Sequence, residues 1–284
     1  MFDRVFDCIR WYFCMKPQTT SEHLLYSTVR LATDDDSTGT GFFFDFDFSE
    51  GKTVPVIITN KHVINNNKQE RVNFFLHAKN GDEPDSEKIN IQFNAEWHFH
   101  KDQDLCFCFV GPLFKQIKEV RQKEVFYRSV GEALIWDDKR LEGLSAIEDV
   151  IMVGYPSGLW DQKNNLPLFR KGITSSHPAM DFNNKNVGAV DMACFPGSSG
   201  SPIFILNEGG YRDKEGTHLG SGRLIFLGVL FQGPQLNAKG ELIIESIPTQ
   251  QKISSITPIM INLGYYIKAT EILVFKSEIE KLIF

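Results

Sequence analysis

The chain has 284 residues, 42% hydrophobic and 23% charged, which is enough for a packed core and excludes a disordered or fibrous class. Its formal net charge of −6 argues against nucleic acid as the main partner, because binding a phosphate backbone needs a basic surface. Five cysteines (Cys8, Cys14, Cys106, Cys108 and Cys194) make an odd set with no zinc spacing, so buried free thiols, a reducing compartment and no metal or cofactor are expected.

Along the chain, Phe2, Val5, Phe6, Ile9 and Phe13 recur at helical spacing and predict a short amphipathic helix over residues 1–16, docked on the protein's own surface. Asp3, Arg4, Asp7 and Arg10 interrupt it, so it is no secretory signal. No run of about 18 apolar residues follows, so no membrane span or membrane partner is expected and the cytoplasm is the default location. From Leu24 the pattern changes to short β-rich segments split by turn residues: 25–31, 41–48, 54–59, 71–78, 89–93 and 105–110. Residues 113–128 are charged and read as a crossing linker with some helix. A second strand series covers 133–136, 150–154, 172–176, 188–193, 202–206, 224–230 and 265–269, with a Gly- and charge-rich surface loop at 207–223. Thr270 is a candidate N-cap for a closing helix, 270–284, whose Ile272, Phe275, Ile279 and Leu282 share a face. The expected fold is all-β, with two six-stranded antiparallel barrels. The expected layout is helix and linker (1–22), first barrel (23–112), linker (113–130), second barrel (131–269) and C-terminal helix (270–284).

Three short motifs carry chemistry. Pro196-Gly197-Ser198-Ser199-Gly200-Ser201-Pro202 sets a serine in a tight turn. A Gly two residues before the serine lets the Gly197 and Ser199 N–H groups point the same way, as an oxyanion needs, and Gly200 leaves room for a substrate backbone. Thr59-Asn60-Lys61-His62-Val63 ends a strand in a histidine, a base able to activate that hydroxyl. Asp104-Leu105-Cys106 opens a strand with a carboxylate able to orient the histidine. Each is weak alone. Together they run His62, Asp104, Ser199, the order of one of the three unrelated triad arrangements, with His and Asp on the first barrel and Ser on the second.

On these residues the chain resembles the trypsin-like peptidases of the chymotrypsin clan, especially bacterial members without disulfides. Gly39-Thr40-Gly41-Phe42, Gly154-Tyr155-Pro156-Ser157-Gly158, Phe169-Arg170-Lys171-Gly172-Ile173, Gly228 to Gly233 and Leu263-Gly264-Tyr265-Tyr266-Ile267 extend the likeness over roughly residues 25–275. The resemblance implies Greek-key barrels of chymotrypsin type and a serine endopeptidase working through an acyl-enzyme, with protein or peptide substrates. Ser198 stands where pancreatic-type members carry the aspartate that pairs with a freed N-terminus, so no such zymogen switch is implied. The position six residues before the nucleophile is Ala193, which disfavours cleavage after Arg or Lys. A small or apolar P1 pocket bounded by Ala193, Leu230 and Tyr265 is expected, with Leu230, Phe231, Gln232 and Gly233 on the strand that pairs with substrate. Two other readings stay open: a triad-bearing protein that only binds peptides or a partner, and a self-processing hydrolase with one dedicated substrate. Cys194 lacks a glycine frame and is no rival nucleophile.

Overall fold

The computed structural model describes residues 15–35, 37–156, 159–242, 253–260 and 262–283. The helix expected over 1–16 lies outside them apart from Met15 and Lys16. In the first half, α1 (Thr20–Leu25) is followed by β1 (Thr28–Thr33), β2 (Thr38–Asp47), β3 (Thr53–Thr59), β4 (Arg71–Asn80), β5 (Glu83–Asn94), β6 (His98–Phe99) and β7 (Cys106–Phe109). Then come α2 (Val110–Arg121), β8 (Val125–Phe126), β9 (Val130–Gly131) and α3 (Asp138–Glu142). The second half holds β10 (Asp149–Gly154), β11 (Leu168–Thr174), β12 (Val187–Asp191), β13 (Pro202–Asn207), β14 (Gly210–Asp213), β15 (Gly216–Leu219), β16 (Arg223–Gln232), β17 (Gln235–Leu242), β18 (Ile253–Met260) and β19 (Leu263–Lys268). A 3₁₀ segment (Ala269–Phe275) and α4 (Lys276–Ile283) close the chain.

The second half closes into a six-stranded barrel in the order β10-β11-β12-β19-β16-β13. In place of the expected six-stranded antiparallel barrel, the first half is a nine-stranded sheet with the path β5-β4-β1-β2-β3-β7-β6, to which the short strands β8 and β9 add at β4 and β2, the latter parallel. Alternation along β2 explains how the halves meet. Phe42, Phe44 and Phe46 point to one face and pack with Phe204, Phe226 and Phe275 from the second half and the C-terminal segment. Phe43 points to the other face, into the sheet's own core with Val29, Leu31 and Ile57. One strand thus serves two cores. Across the join the Phe42 and Phe226 rings meet edge-on at 5.5 Å, a contact of about 0.5–1.5 kcal/mol beyond area burial.

Several sequence expectations change. Residues 110–121 are a regular helix burying Val110, Leu113 and Ile117, so the linker starts as part of the first core. No strand forms at 133–136: Ile135 N–H closes a 3₁₀ turn on Glu132 O. The loop expected at 207–223 contains the β14–β15 hairpin, and an unexpected hairpin, β17–β18, lies between β16 and β19. The C-terminal helix is α-helical only from Lys276, because β-branched Thr270, Ile272 and Val274 disfavour the preceding α turns. Ile272, Phe275 and Ile279 are buried as expected, while Leu282 is half exposed. Cys106, Cys108 and Cys194 are buried free thiols.

Candidate active site

His62 leaves β3 in a 3₁₀ turn, Lys61–Ile64, that ends where Asn65 turns left-handed. Asp104 comes from the loop between β6 and β7. Asn60 Nδ2 donates to Asp104 O at 2.7 Å, fixing that loop against the end of β3. The Asp104 carboxylate then takes two bonds from one residue: His62 N–H at 3.2 Å to Oδ1, and His62 Nδ1 at 2.5 Å to Oδ2. This bidentate hold fixes the ring and leaves Nε2 free to act as a base.

The Ser199 loop is shaped by two left-handed glycines, Gly197 (φ 83°) and Gly200 (φ 85°). Ser198 N–H bonds to Phe195 O and Ser201 N–H to Ser198 O, each at 3.0 Å, so the loop is two linked turns. The carbonyl of Leu230 accepts Gly200 N–H at 2.8 Å, and Leu230 N–H donates to Ser201 O at 2.9 Å. The Leu230 backbone is therefore occupied by the Ser199 loop, not open to a substrate strand. Among the described residues, neither Gly197 N–H nor Ser199 N–H donates to a protein acceptor. Two unused donors beside a serine hydroxyl are the arrangement an oxyanion requires.

Thr40, on β2 of the first half, holds this loop in place, a part that sequence reasoning missed. Its N–H donates to Ser199 O at 2.9 Å. Its hydroxyl donates to Gly197 O at 3.3 Å and accepts from Ser201 Oγ and Tyr155 N–H at 3.1 Å each. Its carbonyl accepts Thr59 Oγ1 at 2.7 Å. The space at Gly200, expected for substrate, is filled by this residue: a Cβ there would stand 1.9 Å from Thr40 O. The only sequence signal was a threonine between two glycines, and a Cβ on Gly39 would stand 2.4 Å from Val63 Cγ1, next to His62. Ser198 Oγ is fully buried without a hydrogen-bond partner.

Ser199 sits on the rim of two cavities. One, about 490 Å³, is walled by His62 and Val63 with Ser37, Thr38 and Gly197. The other, about 140 Å³, is walled by Cys194, Phe195 and Pro196 with Leu230, Phe231, Gln232 and Gly233. Ala193 and Tyr265, expected to bound the pocket, do not line it. Tyr265 instead stacks on Phe182 at 5.5 Å, and its neighbour Tyr266 turns into the core. His62 and Ser199 share a cavity without a hydrogen bond between them. Burial pushes the Cys194 thiol up to about 11, so it is protonated near neutral pH.

The sequence model described as a trypsin-like peptidase domain matches residues 39–210, which include His62, Asp104 and Ser199. No curated protein matches. Among solved structures, a similar one is the crystal structure of the scabies mite inactivated protease paralogue S-I1, 12% identical with a TM-score of 0.44, covering 90% of this chain and 95% of that one.

Proposed function

Because the chain belongs to the trypsin-like peptidase domain family, we propose that it is a serine endopeptidase with Ser199 as nucleophile, His62 as general base and Asp104 as the carboxylate that orients it. The observation that carries this reading is the His62 ring bonded to Asp104 at 2.5 Å while sharing a cavity with Ser199. His62 takes the Ser199 proton through Nε2 as Oγ attacks the peptide carbonyl, then gives it to the departing amine. The negative oxygen of the tetrahedral intermediate goes to the N–H groups of Gly197 and Ser199, worth about 3–4 kcal/mol for a donor. Water repeats the sequence to release the acid. Phe195, Leu230 and Phe231 around the smaller cavity support a small or apolar P1 side chain. The substrates are proteins or peptides in a reducing compartment, and one dedicated partner protein fits the reading as well as many.

Substrate profiling in lysate with wild type and Ser199→Ala tests it. Cleavage products present only with wild type, after small or apolar residues, are expected. Identical product sets would overturn the reading, and strict cleavage after Arg or Lys would overturn the P1 assignment. The missing His62–Ser199 hydrogen bond favours one rival, a peptide-binding protein without turnover, for which neither protein would generate products.

A further inference from the structure

Asp104 is delivered by residues 100–105, a loop without regular structure between β6 and β7. Besides Asn60, the His100 imidazole shapes this loop. His100 is 4% exposed. Its Nδ1 accepts the backbone N–H of Asp102 at 3.1 Å and of Gln103 at 2.9 Å. The backbone N–H of His100 donates to Leu105 O at 2.9 Å, closing the loop on itself. A ring nitrogen that accepts two N–H groups carries no proton, so the ring is neutral with its hydrogen on Nε2.

The surroundings act on that state in both directions: burial favours the neutral ring, while the Glu271 carboxylate favours the protonated one. Nε2 faces Glu271 Oε2 at 3.4 Å, and the ring lies edge-on to Phe275 at 5.5 Å between centroids. Glu271 also accepts from Asn186 Nδ2 at 2.7 Å, just ahead of β12. A continuous set of contacts thus runs from the closed barrel of the second half, through the C-terminal 3₁₀ segment, to the loop bearing Asp104. The charged groups facing His100 are Glu271 from that segment, Lys61 from the His62 turn and Asp102 from its own loop.

We infer that His100 is a positioning residue for Asp104, and that a proton on its Nδ1 disengages Asp104 from His62. Protonation turns an acceptor into a donor facing two donors. The Asp102 and Gln103 N–H groups lose their partner, the loop must re-form, and Asp104 is the next residue along. Burial, and then Lys61, hold the ring below the ordinary histidine range, while Glu271 and Asp102 oppose them. The folded pKa lies below the unfolded one, so the stability from this ring is complete above the unfolded value and is lost as pH falls through the folded one. The consequence for catalysis rests on the peptidase reading; the consequence for the His62–Asp104 bond does not.

The test is ¹⁵N-histidine NMR of the full chain from neutral to acid pH, for wild type, His100→Asn and His100→Phe. Asn offers an amide oxygen near the place of Nδ1 and does not titrate. The readout is the His62 Nδ1 nitrogen and its low-field proton shared with Asp104, which needs no substrate. Expected in wild type are an unprotonated His100 Nδ1 at neutral pH and loss of the His62 signal in step with His100 titration. In His100→Asn the signal should persist to about one pH unit lower, which is about tenfold in proton concentration. In His100→Phe it should be absent throughout. Labelling of Ser199 by a fluorophosphonate should follow the same curves. If Ser199 never labels while these signals behave as described, the peptidase reading fails and the positioning role stands. A proton on His100 Nδ1 at neutral pH, or loss of the His62 signal at the same pH in wild type and His100→Asn, would overturn it. Should His100→Phe not fold, those two comparisons still decide.

Discussion

In the first half of the molecule, His62 reaches the cleft already bonded, its N–H and Nδ1 both spent on Asp104. In the second half, Ser199 reaches it with donors unspent, and the loop around it is held from across the cleft by Thr40. The first half therefore supplies a paired His62–Asp104 unit together with contacts that hold the Ser199 loop of the other half. The second supplies empty donors, which is where transition-state charge would be taken up. Orientation can be built within one half, but the register between base and nucleophile depends on contacts that cross it.

The largest expected effect comes from breaking the finished pair. Asp104→Asn should leave thermal unfolding nearly unchanged and slow fluorophosphonate labelling of Ser199 by about 10⁴-fold, because the amide favours the wrong tautomer of His62. A rate within tenfold of wild type would show that the pair does not orient the base. Next is the crossing contact itself. Gly200→Ala combines a left-handed φ with a Cβ 1.9 Å from Thr40 O. It should cost about 3–4 kcal/mol in chemical denaturation and slow labelling by more than about 10²-fold. A stable, fully reactive Gly200→Ala would mean that the loop does not need this register.

The comparison sharpens in acid, where the first half should fail first. His77, in its core, has its pKa lowered to about 4, chiefly by burial. Since the unfolded value is higher, the stability from keeping it neutral is complete above about pH 6.5 and is lost as pH falls toward 4, up to about 3 kcal/mol. Denaturant titrations at pH 7 and pH 4.5 should show a smaller loss in His77→Leu than in wild type; equal losses would remove this group from the account. The mildest expected effect on labelling is that of Thr40→Val, which unpairs Tyr155 N–H and Ser201 Oγ at about 1–3 kcal/mol for each group left unsatisfied. Labelling should slow by about 10- to 100-fold and be restored by Thr40→Ser. No rescue by serine would point to the methyl group's packing instead of the hydroxyl.

The residues holding the nucleophile loop were less legible in the sequence than the candidate triad. His62, Asp104 and Ser199 could be read because their chain order carries information that no single motif does. The strands of the first half were readable from alternation, as in β2, where phenylalanines two apart share a face. Thr40 could not be read, since its part depends on a contact with residues 197–201 that sequence spacing does not encode. His100 was equally silent, one of seven histidines, informative only once its ring is seen to accept two N–H groups. Tyr265 was expected on the pocket wall, but its ring stacks on Phe182 instead, a contact that sequence spacing does not encode. The β17–β18 hairpin was missed because Ser, Thr, Gln and Pro258 dilute its alternation.

The central claim is that His62, oriented by Asp104, activates Ser199. Its most direct test is the site and rate of fluorophosphonate attachment, mapped by peptide mass spectrometry on wild type, His62→Ala and Ser199→Ala. One adduct on Ser199 is expected in wild type, slowed at least about 10³-fold in His62→Ala and absent in Ser199→Ala. An unmodified Ser199 in folded wild-type protein, or an adduct that forms as fast without the His62 imidazole, would contradict it.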